Sequence, residues 1–467
     1  MPSSSLPTGR TRARSRHTEA DQAARAAAAA AQGQNPQAAD KQPPLGLVPL
    51  GDYRSPGMPA EHVVRALWRR LKERMGSSNP DPVRSASRLE DATLQALDEV
   101  VGPPACGPLL DDFDAAVRAW LDEPNGSFHC VVVLPPCDST DVIGSWAQSR
   151  GLAVLGAPER DQGHVLSLVA GTVSKAHDSG ADRPEQSPAF TPEGKAPLLV
   201  IPRLEAWFLR RRNGLLAVRA LLAELQQAER RCLIGCNSWA WAFLVRAAGA
   251  ALVLPGPRTF VAFDAQRLHA WFSELAAPLQ QGGVAFRLAS NGADVLATKD
   301  GGALASNYLS ELAARSNGIP WVAWHLWRDA LRTGIDASQN GKEQEQEPER
   351  PSESQSQSTE QRTGAPVQNG VQDGKRTFWI MDVPDPDLPH HQDDNALLVL
   401  HALLMHGALR KEELLSVLPD ATAVEVLPAL LRTGFLAQRE GWLSVQPAAY
   451  PAVRRALLAD GFPMGEI

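Results

Sequence analysis

Three polar stretches, each at the end of an apolar run, carry the residues whose types and spacing could do chemistry. Pro135-Pro136-Cys137-Asp138-Ser139-Thr140-Asp141 follows the run His129 to Leu134, Pro202-Arg203-Leu204-Glu205 follows Leu198 to Ile201, and Asn237-Ser238 follows Cys232 to Cys236. Arg210, Arg211 and Arg212 add a basic run between the last two. The chemistry these positions suggest is phosphate handling. Ser139 and Thr140 are candidates for nucleotide contact or for capping the helix that follows, Asn237 for positioning water or touching a γ-phosphate, and the arginines for holding a phosphate or an acidic partner. A phosphate-binding loop, however, needs glycines that let backbone N–H groups reach the anion, and a Lys for the β and γ groups. The stretch 135–141 has neither. Its two prolines remove backbone donors, and Asp138 and Asp141 put negative charge where phosphate would lie. A hydrolytic site would also place an acidic pair after Ile201 to hold Mg²⁺ and polarise water. The chain offers Pro202 and Arg203 there, and Glu205 reads as an exposed helix-cap residue.

The elements that would position these groups follow from apolar patterning. Leu198 to Ile201, a Leu- and Ala-rich helix from Gly214 to Arg230, and Cys232 to Cys236 form a strand, a crossover helix and a parallel strand. Ligand-facing residues of such a unit lie just beyond the strands' C-terminal ends. A strand at 129–134, a helix at 142–150 and a strand at 152–155 precede it. A strand at 259–263, a helix at 265–275 and two helices between 306 and 331 come after. The last pair is broken at Ser316-Asn317-Gly318-Ile319-Pro320 and followed by Trp321.

Strand and helix order, Asn237-Ser238 at a strand end, and the Gly318-Ile319-Pro320 break together resemble the core and lid of AAA+ ATPases, of the origin-recognition-like or STAND-like kind. The resemblance implies an α/β fold with a P-loop NTPase-like parallel sheet over 126–264, a helical lid over 265–334, ATP as the cofactor, and assembly with related subunits. Lids of this kind often carry an arginine where this chain has Trp321. With both nucleotide motifs degenerate, the expectation is a protein that does not hydrolyse ATP and needs no cofactor.

Outside this core, residues 1–58 read as a disordered tail with a basic cluster at Arg10, Arg12, Arg14 and Arg16, and 59–125 as a helical segment. Residues 335–392 read as a disordered linker, rich in Gln, Glu, Ser and Pro. His390, His391, Asp393 and Asp394 read as part of that linker and the cap of the next helix rather than as metal ligands. From 393 to 467, three helices and a hairpin across Glu440-Gly441 resemble a winged helix. Its candidate recognition helix, Thr422 to Thr433, has a single basic residue, Arg432. This segment carries six Lys or Arg against nine acids, so it reads as a protein-docking module before a DNA reader.

The net charge of -7 gives no global attraction to nucleic acid or anionic membrane. The five cysteines fit reduced thiols, and with no apolar h-region near the start and Arg246 and Gly249 interrupting the longest weakly charged run, the expectation is a cytoplasmic protein without a membrane span. The expectation is a non-hydrolysing AAA+-like regulatory or scaffold protein that works through protein contacts. The alternatives are an ATP-binding switch, with Asn237 as sensor and an arginine from 210–212 replacing the Lys, and a winged-helix DNA-binding regulator that also uses the basic N-terminal arm.

Overall fold

A computed structural model describes residues 46–59, 107–123, 126–158 except 139, 198–333 except 282, 376–383, 394–463, 465 and 467. The basic N-terminal cluster, the expected helices between 59 and 100, and His390, His391 and Asp393 lie outside these residues.

The continuous apolar runs become the centre of a six-stranded sheet. In chain order its strands are β1 (Leu47–Pro49), β2 (His129–Leu134), β3 (Ala153–Val154), β4 (Leu199–Ile201), β5 (Cys232–Asn237) and β6 (Arg258–Phe260). The spatial order is β1-β6-β2-β5-β4-β3. β6, β2, β5, β4 and β3 are parallel, and β1 pairs antiparallel on the edge beside β6. β2 and β5 pair over their full lengths, from His129 opposite Cys232 to Leu134 opposite Asn237. Helices cover the sheet, so its central strands are buried on both faces, which is why they lack the alternation of a half-exposed strand. Among the helices are α1 (Pro108–Asp122), α2 (Val142–Ser149), α3 (Leu216–Gln227) and α4 (Ser238–Ala248). The edge strand β1 lies within the stretch expected to be tail, and the short runs around Leu47 and Tyr53 are long enough to close the sheet there.

Gly235 sets the spacing at the middle of this sheet. A Cβ on it would lie 2.1 Å from the Pro202 carbonyl oxygen and 2.5 Å from Ile143 Cδ1, so only glycine lets the β4 end and α2 close on β5.

The connection leaving β2 runs toward β3, past β5, while the one leaving β5 runs toward β6, past β2. Right-handed crossovers in opposite directions put their helices on opposite faces and open a crevice between the two strand ends. The candidate residues of loop 135–141, of 202–205 and of Asn237 all sit at this end of the sheet.

The segment following the core contains α5 (Ala265–Gln281), β7 (Val284–Leu288), α6 (Tyr308–Arg315), α7 (Pro320–Ala330) and β8 (Leu331–Thr333). It is not purely helical. β9 (Arg376–Ile380), from the stretch expected to be linker, inserts between β7 and β8, parallel to the first and antiparallel to the second. Phe378 supplies the apolar reason, its ring meeting that of Phe286 at 5.8 Å and 36°, while Phe286 in turn packs at 5.4 Å on Trp327. Gly318 turns the chain between α6 and α7 at φ 73°, a left-handed position where a Cβ would also lie 2.6 Å from that of Ala262.

The C-terminal segment comprises α8 (Asp394–His406), β10 (Leu409–Arg410), α9 (Lys411–Val417), α10 (Leu427–Arg432), β11 (Leu436–Arg439), β12 (Trp442–Val445) and α11 (Tyr450–Ala459). β12 lies between β10 and β11, antiparallel to both. Glu440 and Gly441 both have positive φ, 51° and 84°, as a two-residue hairpin turn requires. This segment does not swing free of the core. Trp239 Nε1 donates to the Tyr450 hydroxyl at 3.3 Å, and the Tyr450 hydroxyl donates to the Ile467 carbonyl at 2.8 Å. Trp239 also meets the His401 ring edge-on at 5.6 Å. Trp239 and Trp241 are therefore packing residues, as nothing basic stands between them.

Candidate functional site

The crevice at the strand ends holds a cavity of about 200 Å³. Its walls come from three parts of the chain: the ends of β2, β4 and β5, His325 on α7, and the C-terminal segment at Gly407 and Arg439.

Loop 135–141 closes on itself. Asp138 Oδ1 accepts from the Thr140 amide at 3.0 Å and from the Thr140 hydroxyl at 2.8 Å, and its Oδ2 accepts from the Val142 amide at 2.8 Å. Asp141, in the left-handed region at φ 49°, is the N-cap of α2 and accepts from the Gly144 amide at 3.2 Å. The first free amides of α2, the groups an anion would seek, are thus held by the loop's own carboxylates. The carboxylates do the capping expected of the hydroxyls: Thr140 donates to Asp138 instead, while Ser139 lies outside the described residues. Burial pushes the Asp141 carboxyl up from its ordinary value, against the opposing pull of Arg203 and the Gly144 amide.

Glu205 is buried, at 5 % exposure, and is not the exposed cap its position suggested. It sits in a tight turn (Leu204–Trp207) where one carboxylate oxygen accepts from Arg203 Nε at 3.2 Å and the other from the Asn237 amide at 3.1 Å. Burial raises its pKa in spite of Arg203. Burial works against the Arg203 charge as well, but Glu205, Asp141 and Asp138 around it outweigh that and raise its pKa. The signal for this pair was present in the i, i+2 spacing of an Arg and a Glu after an apolar strand, although burial does not show in spacing.

Asn237 has both ends of its side chain engaged. Oδ1 accepts from the Ala240 amide at 2.8 Å, capping α4, and Nδ2 donates to the Met405 carbonyl of α8 at 3.1 Å. The cap is local, three residues along the chain, whereas the partner of the second bond is 168 residues away.

The arginine run does not reach loop 135–141. The Arg210 amide donates to His406 Nε2 at 3.4 Å, and Arg211 and Arg212 are exposed in the turn before α3. None of the three lines the cavity. Trp321 is buried and donates through Nε1 to the Pro136 carbonyl at 3.0 Å.

Cys130, Cys232 and Cys236 are buried free thiols whose pKa burial pushes up, to about 11 for the first two, which makes them poor nucleophiles and poor ligands. Among the described residues no group of His, Cys, Asp and Glu could hold a metal ion. No helix among them is long and apolar enough to cross a membrane.

No protein-family model matches the chain, and no curated protein matches its sequence. Solved structures do overlap it. One is a point mutant of Thermotoga maritima RuvB, at 12% identity and TM-score 0.25, covering 78% of this chain and 95% of that one. Another is described as the Thermotoga maritima RuvB Holliday junction branch migration motor, at 14% identity and TM-score 0.24, covering 70% and 87%. Overlaps this loose carry no argument about fold or activity. The α/β architecture with its parallel central sheet stands on the strand pairing itself.

Proposed function

We propose that this chain is a non-hydrolysing, AAA+-like regulatory or scaffold protein that acts through protein contacts, with a docked winged helix as its C-terminal domain. One observation carries the reading: the α2 amides of Val142 and Gly144, where a nucleotide's phosphates would bind, already hold Asp138 and Asp141. An incoming phosphate would have to displace a carboxylate and then face it across a few ångströms, a like-charge contact that costs several kcal/mol at low dielectric. Asn237 and Trp321 point the same way. In the reading proposed, the polar groups that would sense nucleotide instead hold the lid and the winged helix onto the core, so the fold is fixed in one arrangement without ligand.

The ATP-binding switch needs a cation at loop 135–141, and Arg210, Arg211 and Arg212 do not supply one. The DNA-binding reading needs a basic face, and the acidic balance of 393–467 opposes it. Calorimetry on the full chain with ATP or ADP and Mg²⁺ tests the proposal. The expected result is no heat of binding at ligand concentrations on the order of hundreds of micromolar. Saturable binding that is lost in Asn237→Ala would overturn it.

A further inference from the structure

The strand-end cavity leaves the arginine run unused. From Ala206 to Ala223 and from Ser238 to Phe263 the sequence contains Arg210, Arg211, Arg212, Arg219, Arg246 and Arg258 but no Asp, Glu or Lys. In a chain of net charge -7 that is a local reversal of sign.

The fold brings the two stretches together. Phe208 stacks on Phe243 of α4 at 5.3 Å, and Arg246, three residues further along α4, lies on the same side of that helix. Arg219 of α3 donates through Nη2 to the Ala247 carbonyl at 3.0 Å, among the carbonyls that the end of α4 leaves without helical partners. The helical turn Ala250–Val253 then packs on α3. Arg211 and Arg212 stand in the tight turn between Phe208 and α3, whose shape is fixed. The Leu209 amide donates to the Gly214 carbonyl at 3.1 Å, and the Gly214 amide to the Arg211 carbonyl at 3.0 Å. Arg210 belongs to the contact with α8 instead, where its charge reaches His401.

Arg211, Arg212, Arg219 and Arg246 are exposed, and among the described residues none of the four is paired with a carboxylate. Leu252 is 89% exposed and Leu216, at the start of α3, 46%. A single exposed leucine is ordinary, but two on adjoining elements, amid cations that no acid neutralises, mark a contact surface. Cations and uncovered leucines together require a ligand with both carboxylates and aliphatic side chains. Nucleic acid supplies the anions but nothing for the leucines, and it would also meet the net negative charge of the rest of the chain. A membrane needs a broader apolar face than two leucines provide. We propose that this surface docks an acidic amphipathic helix of a partner protein, its Asp or Glu side chains on Arg211, Arg212 and Arg246 and its aliphatic side on Leu216 and Leu252. The proposal rests on the reading of this chain as one that acts through protein contacts, and it names the chemistry of one such contact.

The test is fluorescence anisotropy of the full chain with a labelled helical peptide of Glu, Leu and Ala, run with and without ATP and Mg²⁺. We expect saturable binding with a dissociation constant on the order of 100 µM or tighter. It should weaken about tenfold when salt is raised from about 0.1 to about 1 M, which cuts the screening length from about 10 to about 3 Å. The double variant Arg211→Glu, Arg212→Glu and, separately, Leu252→Ser should each weaken binding about tenfold. All three side chains are exposed, so these variants should fold as the parent does. Arg287→Glu, at an exposed arginine of β7, should bind as the parent does. No binding, or binding unaltered in both surface variants, would overturn the assignment. So would tighter binding to duplex DNA or to phosphatidylserine vesicles that the same variants abolish. Self-association of the parent that the double variant abolishes would give the surface to a second copy and overturn it as well. Peptide binding accompanied by saturable ATP binding would count against the scaffold reading and leave the surface assigned, whereas binding of neither would sink the surface and leave that reading standing.

Discussion

Trp321 and Pro136 join two distant parts of the chain: the indole N–H at the start of α7 donates to the carbonyl of the loop after β2, at 3.0 Å. Both residues are buried, and the Trp321 ring also meets Phe260 of β6 edge-on at 5.9 Å. The α5 to β8 segment is held on the core by a neutral hydrogen bond and aromatic packing, neither of which depends on a ligand.

Trp321→Phe keeps most of the packing and removes the donor. The Pro136 carbonyl is then buried without a partner, which costs about 1–3 kcal/mol. Urea denaturation should show that loss. Hydrogen exchange should speed up in loop 135–141 and at the start of α7 before it does in β5. Unchanged exchange there would mean that the bond does not hold α7 to the core.

Asn237 can be divided into its two functions. Asn237→Asp keeps the oxygen that caps α4 and loses the N–H that reaches Met405, whereas Asn237→Ala loses both. A lost cap costs about 0.5–2 kcal/mol. We therefore expect Asn237→Ala to be the less stable of the two. Both should release the C-terminal segment, read as faster proteolysis around α8, and a variant pair with unaltered proteolysis would sever Asn237 from docking.

The strands of the core were legible because burial on both faces leaves a continuous apolar run, as in Cys130 to Leu134 and Leu198 to Ile201. The hairpin at Glu440-Gly441 was legible because its turn demands positive φ. Three features were not. Glu205 looks like any surface acid beside Arg203 until the β4–β5 pairing buries it and brings the Asn237 amide to its other oxygen. β9 was hidden in a polar stretch, since its partners β7 and β8 are needed before Phe378 has a surface to cover. The docking of 393–467 rests on pairs such as Asn237 with Met405 and Trp239 with Tyr450, whose separation in the chain leaves no local pattern. Loop 135–141 was readable in its charge, which argued against phosphate, but its capping was assigned to the hydroxyls when the longer carboxylates of Asp138 and Asp141 reach the amides.

Asp138→Ala should uncover what that loop conceals. The Val142 amide and the Thr140 amide lose their acceptor, at a cost of about 0.5–2 kcal/mol. The freed N–H groups at the α2 start then face a cavity that also contains Arg203. We expect inorganic phosphate at millimolar concentration to raise the melting temperature of this variant and leave the parent unaffected. A parent that responds equally would show that the carboxylates do not block the site.

Acid should act at the contact between α8 and the core. His401 is 2% exposed, packed between Trp239 and the Phe462 ring at 5.6 and 5.2 Å. Burial, with the Arg210 guanidinium adding to it, depresses the imidazole pKa from 6.5 to about 4, while a contact with the Pro463 backbone opposes the shift. The charged groups around the ring are therefore repulsive. Because the unfolded chain takes up the proton first, stability is fully present above the unfolded value of 6.5. It is lost progressively as pH falls toward about 4, by an amount on the order of 3 kcal/mol. Melting curves between pH 7.5 and 4.5 should show this decline, with Trp239 fluorescence changing as the C-terminal segment loosens. His401→Phe removes the titrating group and keeps a ring between the aromatic partners, so its stability should vary less over the same interval. If the variant declines as steeply as the parent, the sensitivity belongs to another group.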